Sequence, residues 1–150
     1  MSLEDHRAAP NEFDALAAAA KADPTPEALE PLYRATFGLE RWFFAAVGIF
    51  PNLRAFCGKV DDVGYVMAFT ARDRAEHYAE VQGIVPEGGK PPILALKIDE
   101  AIRHCVAQHR IGATGVLFDD GWGNWRFPLQ ELPRFHRHFG PDADAGAGSD

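Results

Sequence analysis

The apolar run Tyr65-Val66-Met67-Ala68-Phe69 stops abruptly at Thr70, and the charged run Arg72-Asp73-Arg74-Ala75-Glu76-His77-Tyr78-Ala79-Glu80 follows at helical spacing. A buried strand that turns directly into a surface helix produces this change of period. Thr70 and Asp73 stand in the relation of an N-cap and an acidic N3 residue. Thr70 is therefore expected to cap a helix that runs to about Gln82 and closes at Gly83.

Similar switches organise the flanks. Asn11 can cap a helix through Phe13, Leu16 and the alanines to about Ala22, broken by Asp23-Pro24-Thr25-Pro26. Thr25 caps a second helix with Pro26 in its first turn, where a missing N–H is harmless. Leu29, Leu32, Tyr33 and Phe37 recur at helical spacing as far as Gly38, and Pro31 is expected to kink or shorten that segment. Arg41 to Val47 has strand character, and Pro51-Asn52 marks a turn. Arg54 to Val60 and Gly64 to Phe69 then flank Asp61-Asp62-Val63 as a hairpin. After a loop over 85–92, Ile93 to Ile98 reads as a short strand. Asp99 is placed to cap a helix with Ala101, Ile102, Cys105 and Val106 on its apolar stripe. Thr114 to Phe118 and Asn124 to Phe127 form a second hairpin, and Pro128 to Phe139 a closing helix.

Two hairpins among interleaved helices predict an α+β fold: a mixed, largely antiparallel sheet with helices packed mainly on one face. Residues 1–10 read as a flexible N-terminal arm, 11–139 as a single domain, and 140–150 as a disordered acidic tail without large apolar side chains.

Composition narrows the classes. A chain of 150 residues buries roughly 70% of its unfolded surface and needs no metal or disulfide to fold. With 22 acidic against 15 basic residues the net charge is −7, which argues against nucleic acid as a partner. The longest apolar stretch, Trp42 to Phe50, is too short to span a membrane, so no membrane partner is expected. The early acids Glu4 and Asp5 and the lack of an apolar core do not read as a secretory signal. Cys57 and Cys105 form no CxxC motif and are expected to be reduced and mostly buried, as in a cytoplasmic protein.

The Phe69-Thr70 junction, with Arg72, Arg74 and Tyr78 on the helix after it, resembles the N-terminal domain of the SseB-like family of bacterial proteins, named for enhanced serine sensitivity. The likeness extends to Leu32-Tyr33-Arg34 upstream. Downstream it takes in Gly115-Val116-Leu117-Phe118-Asp119, Trp125 and Pro128-Leu129, so that it covers roughly residues 12 to 138. Trp42-Phe43-Phe44 is more aromatic than the family pattern. The resemblance implies an α+β fold and no assigned reaction.

Candidate chemistry is sparse. Ser2 and Ser149 are the only serines, both in the termini, which removes a serine nucleophile. His104 and His109 are five apart, off the three- or four-residue spacing that puts two ligands on one helix face, and read as solvated. His136 and His138 could converge only on extended backbone, yet they fall in a predicted helix. Asp73 and His77 could pair along a helix face. Gly88-Gly89-Lys90 lacks the spacing and the following helix of a phosphate loop. Catalysis by Cys57 or Cys105 would need an accessible thiol of lowered pKa.

The segment Asp119-Asp120-Gly121-Trp122-Gly123-Asn124-Trp125-Arg126 remains the best candidate. Its glycines permit tight turns, and Trp and Arg are the side chains that anchor interfaces. Alternation places Trp125 and Phe127 in the core and leaves Arg126 free, with Trp122 partly exposed in the turn. Asp119, Asp120, Trp122 and Arg126 are therefore the expected partner-binding residues of a non-catalytic binding or regulatory module acting on another protein. The alternative is a small-molecule enzyme using an Asp/His/Arg pocket. No catalytic residue, metal or cofactor is expected. The melting temperature should accordingly be unchanged by reductant or chelator. A large fall with either reagent would reveal a stabilising crosslink or metal.

Overall fold

The computed structural model describes residues 11–48, 51–84, 89 and 91–141. The expected arm at 1–10, Gly88 and Lys90, and the tail beyond Pro141 lie outside them. Two helices open the described chain: α1 (Glu12–Ala22) and α2 (Pro26–Phe37). The Asn11 side chain accepts the Phe13 N–H at 2.9 Å, and Asp14 returns a bond to the Asn11 N–H at 3.0 Å, completing a capping box. Thr25 accepts the Ala28 N–H at 3.3 Å. Pro31 does not end α2. The carbonyl it leaves without a partner belongs to Glu27, in the exposed first turn, where water can replace the bond.

Strands β1 (Arg41–Val47), β2 (Arg54–Ala55), β3 (Cys57–Val60) and β4 (Val63–Ala68) follow, then α3 (Arg72–Gln82). Next come β5 (Ile93–Lys97), α4 (Ile98–Ala107), β6 (Ala113–Phe118), β7 (Trp125–Pro128) and α5 (Leu132–Phe139). The fold is α+β, with two sheets ordered β2-β1-β5 and β3-β4-β6-β7. All pairings are antiparallel except β4 with β6. That parallel pair needs the long crossover that α3, β5 and α4 supply.

The expected strand over 54–60 divides at Phe56, and this is what joins the sheets. Ala55 pairs with β1 while Cys57 pairs with β4. At the corner, the Phe56 N–H donates to the Ala45 carbonyl at 2.8 Å and its carbonyl accepts from the Met67 N–H at 3.1 Å. Phe43 and Phe69 exchange two further backbone bonds, of 3.0 and 2.8 Å. The hairpin before β4 turns on Asp61 and Asp62, both at positive φ (53° and 65°), as a two-residue turn of matching twist requires.

One core lies under α1, α2, α4 and α5; a smaller one packs α3 against the opposite side. The larger core is aromatic. Trp125 stacks between Phe13 and Phe118 at 5.7 and 5.6 Å. Buried indoles need an acceptor, and Thr36 provides two: its carbonyl takes Trp42 Nε1 at 2.9 Å and its hydroxyl takes Trp125 Nε1 at 3.1 Å. Gly123 permits this closeness. A Cβ there would lie 2.7 Å from the Trp125 ring and 2.8 Å from Ala17 Cβ.

Two expectations for α4 are corrected. Asp99 is not its cap: the helix starts at Ile98 directly after β5, with Lys97 at the cap position and no side-chain cap bond. Burial of Ile98 in the core leaves no spare residue for a cap. His104 is not a solvated histidine either. It is half-buried, and its Nε2 accepts the Ala55 N–H at 3.0 Å. Burial, and then the nearby Arg54 charge, hold its pKa below the ordinary value.

A lowered histidine pKa has a defined linkage. Above its unfolded value, about 6.5, His104 is neutral in both states and the stability it confers is complete. As pH falls below that value the unfolded chain binds the proton first, so stability is lost down through the folded-state pKa. Urea denaturation of the wild type between pH 7.5 and 5 should show this loss, and His104→Gln should lack that component. An identical pH slope in the two proteins would exclude the Ala55–His104 bond as its source.

Candidate functional site

The loop between β6 and β7 begins at Asp119, whose φ of +50° is a left-handed conformation that Asp tolerates better than most residues. This turn sends the carboxylate inward, where it is fully buried. Its Oδ1 accepts the Thr70 N–H at 2.8 Å and its Oδ2 accepts the Thr70 hydroxyl at 2.7 Å. Arg74 Nη1 donates to the same Oδ2 at 2.9 Å. The Arg74 guanidinium also grips Asp14 of α1 with two bonds, of 2.9 and 2.7 Å. Asn11 Nδ2 donates to the Thr70 hydroxyl at 3.2 Å. One buried cation thus ties together the start of α1, the first turn of α3 and the end of β6.

Thr70 is therefore not the cap of α3. Ala71 holds that position without a side-chain bond. The helix begins two residues after Thr70, as the change of period requires, but the Thr70 hydroxyl is committed to Asp119. Dehydration disfavours the Arg74 charge, and the bonds and fields of Asp14 and Asp119 more than offset it, so its pKa stays raised. Dehydration pushes the Asp119 carboxyl above its ordinary range, against the opposing bonds from Thr70 and Arg74.

Trp122 closes the lid of this assembly. Its half-buried ring lies 4.8 Å from the Arg74 guanidinium carbon, and it meets His77 and Phe69 edge-on at 5.6 and 6.3 Å. His77 thus packs on Trp122, and no hydrogen bond or ion pair joins it to Asp73 among the described residues. Asp120 is half-buried, and its charge adds to the burial that raises the Tyr78 phenol pKa.

Arg126 lies elsewhere. It is exposed on β7, donates from Nη1 to the Tyr65 hydroxyl at 2.7 Å, and sits 5.4 Å over that ring. Trp125 and Phe127 face the core as the alternation predicts. Trp122 packs on Phe69 and Arg126 on Tyr65, four residues apart along one chain, or roughly 13 Å at strand rise. The four expected residues therefore divide: Asp119 is internal, Asp120 and Trp122 border α3, and Arg126 stands alone. Beside Arg126 is an open groove of about 200 Å³ lined by Tyr65, Thr114, Gly115, Phe127 and Pro128. Gly115 keeps it open, since a Cβ there would meet Tyr65 Cε1 at 2.9 Å.

Local sequence pattern does not mark Arg74 or Asp14 as part of the site. One signal was present: Arg74 occupies the inward stripe with Ala75, Tyr78 and Ala79, where an arginine needs a buried partner. Nothing local identified that partner. Among the described residues, no group of three His, Cys, Asp or Glu side chains is placed to hold a metal ion, and no helix is long and apolar enough to cross a membrane. Cys57 and Cys105 are free, with thiol pKa values raised by burial. Comparisons of the chain with protein-family models, curated proteins and solved structures each returned no match.

Removing Arg74 leaves Asp119 buried without its cation, so Arg74→Met should destabilise the domain by about 3–5 kcal/mol. Arg74→Lys should recover little of this, because an ammonium cannot reproduce a planar fork between two carboxylates. Urea denaturation of the three proteins measures both effects. A wild-type midpoint for Arg74→Met would remove the central role of this cation.

Proposed function

We propose that this chain is a non-catalytic binding or regulatory module that works through contact with another protein. One observation carries the reading. Arg126 is an exposed cation with no acidic partner among the described residues, held ready by Tyr65 beside an apolar groove. Arg and Tyr are side chains that often anchor interfaces, and the hold of Tyr65 on the Arg126 head reduces the rotamer freedom Arg126 must lose on contact. Asp120 and Trp122 form a separate, half-exposed patch beside α3, and Asp119 holds their loop from behind. The resemblance of the Phe69-Thr70 junction and its flanking segments to SseB-like proteins supports reading it as a bacterial, cytoplasmic module.

An enzyme built on Asp, His and Arg has less support. Asp119, Asp14 and Arg74 are committed to one another, and His104 uses its Nε2 on the backbone.

The test is quantitative affinity capture with wild-type bait, Arg126→Glu and, as a control on an exposed helical cation, Arg103→Glu. A hot-spot contribution near 2 kcal/mol means a loss of about 30-fold in affinity for the captured partner with Arg126→Glu, and no change with Arg103→Glu. Equal capture by a folded Arg126→Glu protein would rule this surface out.

A further inference from the structure

Strand β5 is the outer strand of its sheet and has β1 on one side only. The bonds of β1 show which way the β5 backbone points. Phe43 directs its N–H and carbonyl to Phe69, and Ala45 directs its carbonyl to Phe56, both away from β5. The Ala46 N–H instead donates to the Pro92 carbonyl at 2.9 Å. Such directions alternate along an antiparallel pair. Trp42 and Phe44 therefore bond Leu96 and Leu94, while the N–H groups of Ile93, Ala95 and Lys97 and the carbonyls of Ile93 and Ala95 point outward. Among the described residues no backbone group pairs with them. The Ala95 carbonyl receives a long bond from Arg41 Nη1, 3.4 Å, and keeps a second lone pair. We propose that this edge pairs with the same edge of a second copy of the chain, as a two-fold antiparallel β5–β5 contact. The proposal is independent of the Arg126 surface, because β5 ends one sheet and β7 ends the other.

Burial is the second observation. Trp42, Phe44, Ala45 and Ala46 of β1 are buried, whereas Ile93, Leu94, Ala95 and Leu96 all stay half-exposed. Leu94 and Leu96 border the larger core and Ile93 the smaller one, so both cores are open along this edge. The helices on the two faces do not close it: α3 lies mostly over β1, and α4 spans β2, β1 and β5. A bare edge with apolar side chains on both faces is a template for another strand.

The pattern of β5 suits its own copy. In a pair centred on Ala95, the Ala95 N–H groups and carbonyls exchange bonds across the axis. Each Lys97 N–H meets the Ile93 carbonyl of the second copy. Leu94 then faces Leu96, a cross-strand apolar pair that continues the larger core. Alanine at the axis leaves room for close approach. Lys97, the one charged residue of the strand, faces Ile93, so like charges never oppose one another although each chain carries a net charge of −7. A foreign strand would keep an outer edge of its own, whereas the two-fold pair covers both bare edges at once.

The experiment combines sedimentation equilibrium of the full chain with amide hydrogen exchange at low and high protein concentration. The pair should dissociate with a constant of about 100 μM or tighter, as for contacts at the small end of the interface range. Leu94 and Leu96 amides, bonded to β1, should exchange slowly at every concentration. Ala95 and Lys97 amides should exchange freely in dilute protein and at least ~10-fold more slowly once the pair forms. Ala95→Pro deletes the N–H at the axis without removing a bond to β1 and should leave the chain monomeric. Ala95→Lys sets two ammonium groups against each other and should weaken the pair at least ~10-fold. Should the proline variant fail to fold, the lysine variant and the wild-type exchange pattern still decide. A chain that is monomeric at about 1 mM, ~10-fold above the expected constant, would overturn the proposal. So would a dimer whose Ala95 amide stays unprotected, or a folded Ala95→Lys protein that pairs as the wild type does. Protection of Ala95 that is independent of concentration would also overturn it, by making a segment of the same chain the occupant of the edge.

Discussion

A single buried guanidinium sets the geometry of this domain. Arg74 has no exposed side-chain surface, and its two carboxylate partners come from opposite ends of the chain. An unpaired charge in that position would be prohibitively unfavourable, so α3 cannot seat until α1 brings Asp14 and β6 delivers Asp119. The dependence is mutual. Asp119 turns inward through a left-handed backbone, and the loop that follows it is held by a bond from the Trp122 N–H to the Asp119 carbonyl at 2.8 Å. Helix α1 is placed by the same ion pair and by the stack of Phe13 on Trp125. Well-packed apolar residues could supply comparable stability. What the charges add is a requirement that three particular segments meet.

That requirement shapes where function can reside. Asp14, Asp119 and Arg74 are bound to one another, and His104 to the Ala55 backbone. The interior therefore resembles a fastening more than a reactive pocket. On the outside of β7, Arg126 keeps N–H donors beyond the one it gives to Tyr65. That side chain stands beside an apolar groove.

Much of the domain was legible from local pattern. The caps at Asn11 and Thr25 and the closing glycine at 83 depend on residues within four positions of each other, and the strand over 41–47 and the second hairpin on alternation and turn signals within one short stretch of chain. The alternation Trp125-Arg126-Phe127 sorted core from surface correctly because a strand has a strict period of two. The same local logic misassigned Thr70. Its spacing to Asp73 suits a cap, but a stronger acceptor, Asp119, lies 49 residues away. Asp99 failed as a cap for a related reason: the pull of the core on Ile98 starts the helix before Asp99 can flank it. Of the candidate site, Arg126 emerged where alternation put it, while Asp119 moved inside because its backbone turned left-handed.

By itself, the sequence determined the kinds of elements, their order and the faces they present, since helical and strand periodicity are properties of neighbouring residues. It also determined an α+β arrangement, because hairpins and long crossovers announce themselves by their turns and lengths. Only the tertiary structure decided that one strand segment would break at Phe56 to serve two sheets, that His104 would be neutral against the Ala55 backbone, and that Arg74 would be buried. The last two outcomes rest on partners 45 to 60 positions away, and the first on Ala45 and Met67, each 11 away. Such pairings are selected by the removal of water around charges and backbone groups as the whole core closes, and no short window of sequence carries that information.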